Sequence, residues 1–483
     1  MLKKIVCFLL VAATFLLLFS CARTPKKNPN GGSEKTDGGS DASLLAKLPS
    51  KNFENREFVI LTRSEFFYEM GGASESNDRL DNYIYERNSA IEERYRLILD
   101  VRSVPGNWQN RNEFHDTIYN DVAYNDTCTY DLICGAQNQM VSYITEGMFA
   151  NLLRVNNNNG FSDEWWFDGF VENLSINNHL YFIVGDAGVT LLENCNSIVF
   201  NKNLCDANGI SYPYDLVREK QWTLSAMYEM TDNLKAVDLD GDQKLTVNDR
   251  FSLVGGTAML RGLSIAFDAP VTKMDENGYP VLAMGDQKVY DVFDRFTKFI
   301  FADNRCLIDN ENNNADLFGN GHSLLLMAPF STITALRQNY AANYGIVPCP
   351  MYDENQADYY TACYETLTVF TIPINAGSRE DSMFVLNALG AKSLESVTPK
   401  YFEMVLKYQN AQDPDSFEMI ELIRNKITFN FGATYSMAID APIARYDNMA
   451  NPTWTYASSY RSKSESWRTM LSTLVDNFLL MDE

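Results

Sequence analysis

Apolar and polar stretches alternate through the first quarter of the chain with the periods of strands and helices. Residues 58–61 form a short apolar run, residues 77–96 carry apolar side chains at near-helical spacing, and residues 97–101 form a second run. A helix is predicted near residues 110–123, followed by a strand that ends at Cys134. This alternation predicts an α/β fold with a largely parallel sheet covered by helices.

The loop after the third predicted strand is the first candidate for ligand contact. Ligands of such sheets bind in the crevice beyond the carboxyl ends of the strands. Residues 135–139 lie there and include Gln137 and Asn138. Their amide groups can donate and accept hydrogen bonds, so we predict that both contact a ligand.

The N-terminal segment has the layout of an export signal. Lys3 and Lys4 precede an apolar run over residues 6–19, and the motif Leu-Phe-Ser-Cys ends at Cys21. The run is short for a bilayer core of about 30 Å. It resembles a bacterial lipoprotein signal, in which the cysteine is acylated and becomes the mature N-terminus. We expect residues 1–20 to be removed and Cys21 to carry lipid, with a plain membrane anchor as the alternative.

The next segment predicts a tether. Residues 22–46 consist mainly of Gly, Ser, Asn, Lys, Thr, Asp and Pro, with few apolar residues. Such a segment cannot bury a core. We therefore predict a disordered tether over residues 21–50 and a globular body from about residue 55 onward.

Length and charge restrict the partners of that body. The chain has 483 residues, enough for two domains, because single cores stop growing near about 250 residues. It contains 40 basic and 63 acidic residues, and loss of Lys3 and Lys4 leaves 38 basic residues and a net charge of −25. Such a charge argues against nucleic acid and against an anionic membrane surface as partners.

Cysteine and histidine usage does not indicate a metal centre. Seven cysteines follow Cys21, an odd number that cannot pair entirely within the chain. Cys128 and Cys134 are separated by a predicted strand of about 20 Å, far beyond the roughly 7 Å limit for a disulfide. We interpret the cysteines as mostly buried thiols. The lack of a C-x-x-C motif and the wide spacing of the three histidines argue against zinc.

A resemblance to a known family extends over about residues 55–480. The matching segments are Asn-Ser-Ile-Val-Phe-Asn-Lys at 196–202, Gly-Ile at 209–210, Gln-Trp-Thr at 221–223, the aspartate-rich 238–242, 249–253, Leu-Leu-Leu-Met-Ala-Pro-Phe at 324–330, 344–350 and 368–375. In this order and spacing they resemble extracellular solute-binding protein family 1, the sugar-binding lipoproteins of ABC importers.

The resemblance implies a two-lobed, type II periplasmic-binding-protein-like fold with an interlobe cleft and three hinge crossings. The crossings are expected near residues 185–190, 365–370 and 410–415. The N-lobe would comprise 55–184 and 371–410, and the C-lobe 190–364 and 416–483. The implied protein is a non-enzymatic, extracytoplasmic, lipid-anchored monomer that delivers a carbohydrate, an oligosaccharide in our prediction, to ABC permease subunits.

An aspartate-rich loop has a calcium-loop pattern. Acidic residues occupy positions 1, 3, 5 and 12, and further oxygens are available at positions 7 and 9, which gives the candidate ligands Asp238, Asp240, Asp242, Lys244 through its carbonyl, Thr246 and Asp249. Gln243 replaces the glycine of position 6, and Asp249 is shorter than the usual glutamate. We predict a structural calcium site, with an acidic solvated turn as the alternative.

Several further residues are candidates for the cleft. Flat rings can cover the apolar face of a sugar while polar groups fix its hydroxyls. The candidates are Trp165, Trp166, Asp186, Phe330, Tyr359, Tyr360 and Trp454, and each aromatic among them could instead be a core residue. Phe330 matches the Pro-aromatic step of the family, where Trp is common. Trp222 precedes a probable N-cap, Thr223, and is interpreted as packing at a helix start.

Enzymatic alternatives find less support in the sequence. The chain contains no G-x-S-x-G, H-E-x-x-H or G-x-x-x-x-G-K-[ST] motif. A secreted glycoside hydrolase stays open, because 63 acids guarantee chance carboxylate pairs. A peptide-binding importer subunit is the nearer alternative, because the body is long for a protein that binds a small sugar.

Overall fold

The computed structural model describes residues 43–72, 79–167, 169–232, 234–308, 310, 313–340, 342–406 and 414–481. These residues belong to one compact unit. The predicted signal peptide, Cys21 and most of the tether lie outside the described residues, as does most of the third predicted crossing. Within the described part of the chain, no helix is long and apolar enough to cross a membrane.

The predicted tether is too long at its C-terminal end. Residues Leu44–Lys47 form a 3₁₀ turn, and Leu45 is buried in the core. The turn is held by the carboxylate of Glu395, which accepts hydrogen bonds from Ser43 Oγ at 2.9 Å and Leu44 N at 3.0 Å. The buried Leu45 and these hydrogen bonds, with an ion pair between Lys47 and Glu164, bind this segment to the body.

The strands form two main sheets and a ribbon. Their bounds are β1 Arg56–Arg63, β2 Leu97–Val104, β3 Leu132–Ala136, β4 Asn196–Asn201, β5 Phe251–Gly255, β6 Thr272–Met274, β7 Pro280–Leu282, β8 Cys306–Ile308, β9 Ser323–Pro329, β10 Tyr344–Pro348 and β11 Thr368–Thr371. The first sheet has the order β11-β3-β1-β2, the second β10-β4-β9-β5-β8, and β6 pairs with β7.

Helices cover the sheets. Their bounds are α1 Phe67–Met70, α2 Arg79–Tyr95, α3 Arg111–Tyr124, α4 Gln137–Tyr143, α5 Phe170–Leu174, α6 Thr190–Glu193, α7 Lys202–Asn208, α8 Tyr214–Arg218, α9 Leu224–Asp232, α10 Leu263–Ala266, α11 Gln287–Phe301, α12 Asn314–Gly319, α13 Phe330–Asn339, α14 Arg379–Leu406, α15 Pro414–Asn425, α16 Phe431–Thr434 and α17 Tyr456–Leu480.

The first sheet confirms the predicted strand–helix alternation. Strand β1 pairs in parallel with β2 and β3, and β11 returns antiparallel beside β3. We call the part of the molecule around this sheet the first lobe and the part around the other sheet the second lobe. The second sheet is mixed, with β5 parallel to β8 and β9 but β4 antiparallel to β9 and β10.

Alternate residues of β4 belong to two different buried clusters. In β4, Ile198 and Phe200 belong to one buried cluster, whereas Val199 between them belongs to the other. Successive side chains of a strand point to opposite faces, so one face of the second sheet has its own core and the other is continuous with the core of the first lobe. Helix α17, about 37 Å long, contributes Trp467 to the former and Phe478 to the latter.

Two chain segments connect the lobes side by side. The first crossing, residues 184–195, leads to β4, and the second crossing, residues 363–367, leads back to β11. They are antiparallel and are bridged at Ile183–Phe370 and at Cys195–Cys363. The ligand crevice predicted beyond the first sheet therefore lies beside the crossings, where α4 begins.

Candidate functional site

A cavity of about 50 Å³ lies between the lobes at the second crossing. The first lobe contributes Gln137, the second lobe contributes Arg261 and Gly262, and the crossing contributes Tyr364 and Glu365. Gln137 is held at this place because its backbone N–H donates to the carbonyl of Leu367 at 3.0 Å. Gln137, which the sequence predicted to contact a ligand, thus lines an interlobe cavity.

An ion-pair network forms one side of this first cavity. Arg261 Nη1 lies 2.5 Å from Glu365 Oε1, and Nε and Nη2 bind both carboxylate oxygens of Asp447 at 2.9 and 2.7 Å. Burial alone would lower the pKa of Arg261, but the hydrogen bonds to Asp447 and the charge of Glu365 outweigh it and raise that pKa. Burial raises the pKa of Glu365, with Arg261 opposing. The guanidinium therefore joins the second lobe to the crossing.

A second cavity of about 280 Å³ adjoins the first. Both are lined by Ile265, Thr428, Phe429 and Asn430, which therefore separate them. The second cavity also contacts Tyr360, and its other lining residues are Asn173, Ser264, Asp268, Pro270, Thr272, Lys273, Met274 and Phe431. Asn173 lies on α5, whose residues Phe170 and Leu174 pack into the core of the first lobe. This cavity therefore also lies between the lobes.

Aromatic rings and amides dominate the chemistry of the two cavities. Phe429 packs edge-on against Phe170 with ring centroids 4.8 Å apart, which holds its ring in the shared wall. Asn430 is held by donating to the carbonyl of Thr272 at 2.6 Å. Rings with amide and hydroxyl neighbours suit a ligand that has both apolar faces and hydroxyl groups.

Two amide oxygens near the crossing have no hydrogen-bond partner in the described part of the chain. They are Oδ1 of Asn196, which lines the first cavity, and Oδ1 of Asn138. The backbone N–H of Asn138 donates to the carbonyl of Glu365 at 3.1 Å, which places this predicted residue at the second crossing. Buried acceptors without a donor are costly, so a donor from a ligand or water would stabilise them.

The structure brings together only part of the predicted site. Gln137 and Tyr360 line the cavities and Asn138 lies beside them, whereas six candidates lie elsewhere. Trp165 and Trp166 are corrected to core residues of the first lobe. They are almost completely buried, and both indole nitrogens donate to Asn387 Oδ1, at 3.0 and 3.1 Å. Their polar atoms are satisfied inside the protein.

Asp186 lies at the first crossing as predicted but is not available to a ligand. Its carboxylate accepts a hydrogen bond from Thr398 Oγ1 at 2.9 Å and pairs with Arg424 Nη2 at 2.5 Å. Burial raises the pKa of Asp186, and Arg424 and Thr398 oppose that shift. The carboxylate therefore joins the crossing to α14 and α15 instead of facing the cleft.

Phe330 and Tyr359 are also corrected to core positions. Phe330 has no exposed surface and starts α13 inside the core shared with the first lobe. Tyr359 is 2% exposed and belongs to the separate core of the second lobe. Tyr360, the next residue after Tyr359, is partly exposed and lines the second cavity. Trp222 is fully buried, which confirms its interpretation as a packing residue.

Trp454 lies in a groove of about 500 Å³ on the second lobe, apart from the cleft cavities. Its ring lies 5.7 Å from Phe293 and 6.1 Å from Tyr456. The groove runs along α11, and no residue of the first lobe lines it. Trp454 is therefore corrected from a cleft residue to a surface-groove residue.

Several cavity residues were not predicted from the sequence. They are Arg261, Asn196, Tyr364, Glu365, Phe429 and Asn430, and Asp447 is the ion-pair partner of Arg261. Glu365 is the first residue of the predicted second crossing and Tyr364 precedes it, so this position could have indicated both. Arg261 and Asp447 are 186 positions apart and show no local pattern, so their pairing has no signal in one sequence.

The aspartate loop has part of the predicted geometry. One carboxylate oxygen from each of Asp238, Asp240 and Asp242 lies within 4.8 Å of the others. Gln243 has φ +67°, the left-handed conformation for which position 6 usually has glycine. Asp249 is used differently, since its two carboxylate oxygens accept hydrogen bonds from Leu239 N at 2.8 Å and Thr246 N at 2.6 Å. These backbone bonds lower the pKa of Asp249.

The donor set of this loop fits a hard cation in part. Three carboxylates converge and would supply part of the roughly six to eight oxygen ligands that calcium takes. To bind the cation, the carboxylate of Asp249 would have to give up its hydrogen bonds from the backbone of Leu239 and Thr246. Lys244 N donates to Asp242 Oδ1 at 2.8 Å, and Thr246 Oγ1 donates to Asp249 Oδ2 at 3.3 Å. The carbonyl of Lys244 and Thr246 stay predicted ligands.

Comparisons with known proteins bear on the fold. No protein-family model and no curated protein matches the sequence. Among solved structures, the maltose/maltodextrin-binding domain MalE of Bdellovibrio bacteriovorus, bound to maltotriose, is 15% identical, with 87% of this chain and 100% of the other covered and a TM-score of 0.52.

Two further structures are similar. A cyclo/maltodextrin-binding protein complexed with maltotetraose is 12% identical over 86% of this chain and 97% of the other, with a TM-score of 0.56. UgpB of Mycobacterium tuberculosis, in complex with glycerophosphocholine, is 10% identical over 86% and 99%, with a TM-score of 0.55. All three are binding proteins. At these identities the likeness establishes the fold: this chain has the two-lobed fold of the extracellular solute-binding proteins.

Proposed function

We propose that this chain is an extracytoplasmic solute-binding protein that takes a carbohydrate, an oligosaccharide, between its lobes and delivers it to an ABC importer. The observation that supports this most is the interlobe cavity of about 280 Å³, lined by Tyr360, Phe429 and amide and hydroxyl groups. Three structures of the same fold hold maltotriose, maltotetraose or acarbose.

The size of the cavities bears on how a ligand enters. Pockets for drug-sized ligands occupy roughly 300–1,000 Å³, so 280 and 50 Å³ are small for an oligosaccharide. The lobes must move apart for such a ligand to enter and then close on it. Hinge closure of this kind is a known response to ligands, and the closed shape is what permease subunits would recognise.

The carboxylates of the cavities favour binding over glycoside hydrolysis. Glu365 in the first cavity is paired with Arg261, and Asp268 in the second is paired with Lys288 at 2.9 Å. A hydrolase needs one carboxylic acid and one carboxylate free to face the scissile bond. A peptide-binding importer subunit stays the second candidate, because the same amides could bind a peptide backbone.

The carbohydrate proposal is tested by ligand stabilisation and titration. Maltotriose at about 100 times its dissociation constant should add roughly 2.7 kcal/mol to the free energy of unfolding. Tyr360→Ala removes a ring from the cavity wall, so it should weaken maltotriose binding by about 1–3 kcal/mol in calorimetric titration. Tyr124→Ala is the matched control, because that ring is 77% exposed on α3.

Three outcomes would contradict the proposal or the placement of its site. Stabilisation by trialanine, with none by maltotriose or cellotriose, would favour the peptide-binding alternative. Release of the chromophore from a nitrophenyl glycoside would indicate a hydrolase. Equal losses of affinity in Tyr360→Ala and Tyr124→Ala would remove the cavity from the binding site.

Two further parts of the proposal rest on sequence patterns. The signal pattern supports anchoring to the outer face of the membrane through lipid on Cys21, and we propose that the protein acts as a monomer. The aspartate loop is proposed to hold a structural calcium through Asp238, Asp240 and Asp242. Bound there, calcium would neutralise three converging carboxylates and stabilise the loop, with no part in ligand chemistry.

A further inference from the structure

The two crossings carry a pair of cysteines at the point where they meet the second lobe. Cys195 ends the first crossing and Cys363 begins the second, and the two residues form an isolated antiparallel bridge. They are 168 positions apart in the sequence. Both are free thiols in the structure.

The type of backbone pairing suits a covalent link. The two hydrogen bonds that flank the pair join Asn196 N to Ala362 O at 2.9 Å and Tyr364 N to Asn194 O at 2.8 Å. Cys195 and Cys363 are therefore a non-hydrogen-bonded pair, the narrow type in which Cα atoms lie about 4.5 Å apart. That distance lies within the range of about 4.4–6.8 Å found in disulfides.

The side chains already face each other. The Sγ atoms of Cys195 and Cys363 lie 3.7 Å apart, and a disulfide needs about 2.0 Å, a difference that small side-chain rotations can supply. Cys195 is fully buried, whereas Cys363 is partly exposed and lines the first cavity. Cys363 is therefore the sulfur of the pair that borders the cleft.

We propose that Cys195 and Cys363 form a disulfide under oxidising conditions, and that this bond ties the second-lobe ends of the two crossings together. The first-lobe ends are already joined by Glu69, whose carboxylate accepts hydrogen bonds from Thr190 Oγ1 at 2.6 Å and Thr368 Oγ1 at 2.5 Å. With both ends tied, the crossings bend as one unit. Disulfides persist in oxidising environments outside the cytoplasm.

The reaction balances as thiol–disulfide exchange with a small-molecule disulfide. The Cys363 thiolate attacks one sulfur of the reagent, forms a mixed disulfide and releases one reagent thiolate. The Cys195 sulfur then attacks Cys363 Sγ, forms the intramolecular bond and releases the second thiolate. The two protein protons pass to the released thiolates, the reagent is reduced by two electrons, and the thiol pair is oxidised. Burial raises the pKa of the Cys363 thiol, so the exchange should be faster in alkaline buffer.

The experiment uses the full chain without ligand. The folded protein is incubated with oxidised glutathione at about pH 8.5, denatured with iodoacetamide and digested for mass spectrometry. The expected product is a cross-linked peptide pair that contains Cys195 and Cys363 and disappears on reduction. Unmodified thiols at both positions after prolonged incubation, or glutathione retained on Cys363 without the cross-link, would overturn the proposal.

Variants separate this pair from the other thiols. Cys306→Ser is the matched control, because Cys306 lies in β8 at the edge of the second sheet, and the cross-link should form as in the parent. Cys195→Ser should leave Cys363 as a stable glutathione adduct. If that variant does not fold, the comparison of oxidised and reduced parent protein still decides the question. The cross-link is measured without carbohydrate, so its failure and the failure of the proposed function are distinguishable.

Discussion

Residue type does not decide which aromatic side chains reach the cleft. Tyr359 and Tyr360 are adjacent, yet one belongs to the core of the second lobe and the other lines the interlobe cavity. Phe330 and Phe429 belong to the same buried cluster, yet only Phe429 also lines the cavities. At this scale the environment of each ring determines whether its replacement changes stability or ligand affinity.

Replacement of Phe330 should therefore affect folding and leave binding intact. Phe330→Ala should lower the free energy of unfolding by about 3–5 kcal/mol, because it removes a fully buried ring and leaves a cavity. Phe417→Ala, which removes a ring that is 41% exposed, should change it by no more than about 0.5 kcal/mol. Denaturant unfolding measures both, and a normal stability with weakened carbohydrate affinity in Phe330→Ala would return this residue to the site.

Glu365 should make stability depend on pH in a defined direction. Burial raises its pKa above the ordinary value of 4.5, so between these two values the folded chain keeps a proton that the unfolded chain loses. The contribution is fully present below about pH 4.5 and is lost as the pH rises through the raised pKa. The difference in unfolding free energy between the parent and Glu365→Gln should therefore fall as the pH increases.

Urea unfolding of both proteins between about pH 5 and 8 measures this difference. Glu365→Gln also removes a charged partner of Arg261, and this changes the difference in unfolding free energy by a constant amount at every pH. The relevant quantity is therefore how that difference changes with pH, not its absolute size. A difference that stays constant or grows with pH would show that Arg261 dominates over burial at Glu365.

Among the elements, the aspartate loop is the one in which local sequence and structure agree most closely. Gln243 adopts a positive φ at the position where glycine is usual, and three of the predicted acids converge. A non-glycine residue is strained in this conformation. A hydrogen bond from Gln243 N to Asp238 Oδ2 at 2.8 Å offsets part of that strain.

Calcium should raise the melting temperature if the loop holds it. Binding to the folded state alone stabilises by roughly 2.7 kcal/mol when the ion is present at 100 times its dissociation constant. Asp238→Ala combined with Asp242→Ala should abolish the gain, whereas Asp275→Ala, in another acidic turn, should keep it. Identical melting curves in calcium and in chelator would make the loop an acidic solvated turn.

The whole molecule combines a continuous core with cavities at the seam between lobes. The core of the first lobe extends to one face of the second sheet, and α17 packs against both clusters. Motion between the lobes must therefore be limited to the region around the crossings and the cavities. The ion pair between Arg261 and Glu365 of the second crossing and the carboxylate of Asp186 lie in that region.

At the scale of the whole molecule, the predicted lipid anchor decides where the protein acts. Cys21→Ser removes the acylated sulfur, so this variant should be released from the membrane fraction or stay unprocessed, with a shifted mobility. Cys306→Ser is the control and should fractionate like the parent. Membrane association and mobility of Cys21→Ser equal to those of the parent would contradict the lipoprotein prediction.

The sequence by itself determined the features that depend on neighbours along the chain. Periods of two and 3.6 residues predicted the strands and helices of the first lobe, and four acids within twelve positions indicated the turn at residues 238–249. Only the tertiary structure decided the candidate site, because its contacts join distant segments: Arg261 meets Asp447 across 186 positions and Cys195 meets Cys363 across 168. Burial of a ring such as Phe330 likewise depends on neighbours that other segments supply. A single sequence specifies the side chains, but local patterns in it do not show which distant segments come into contact.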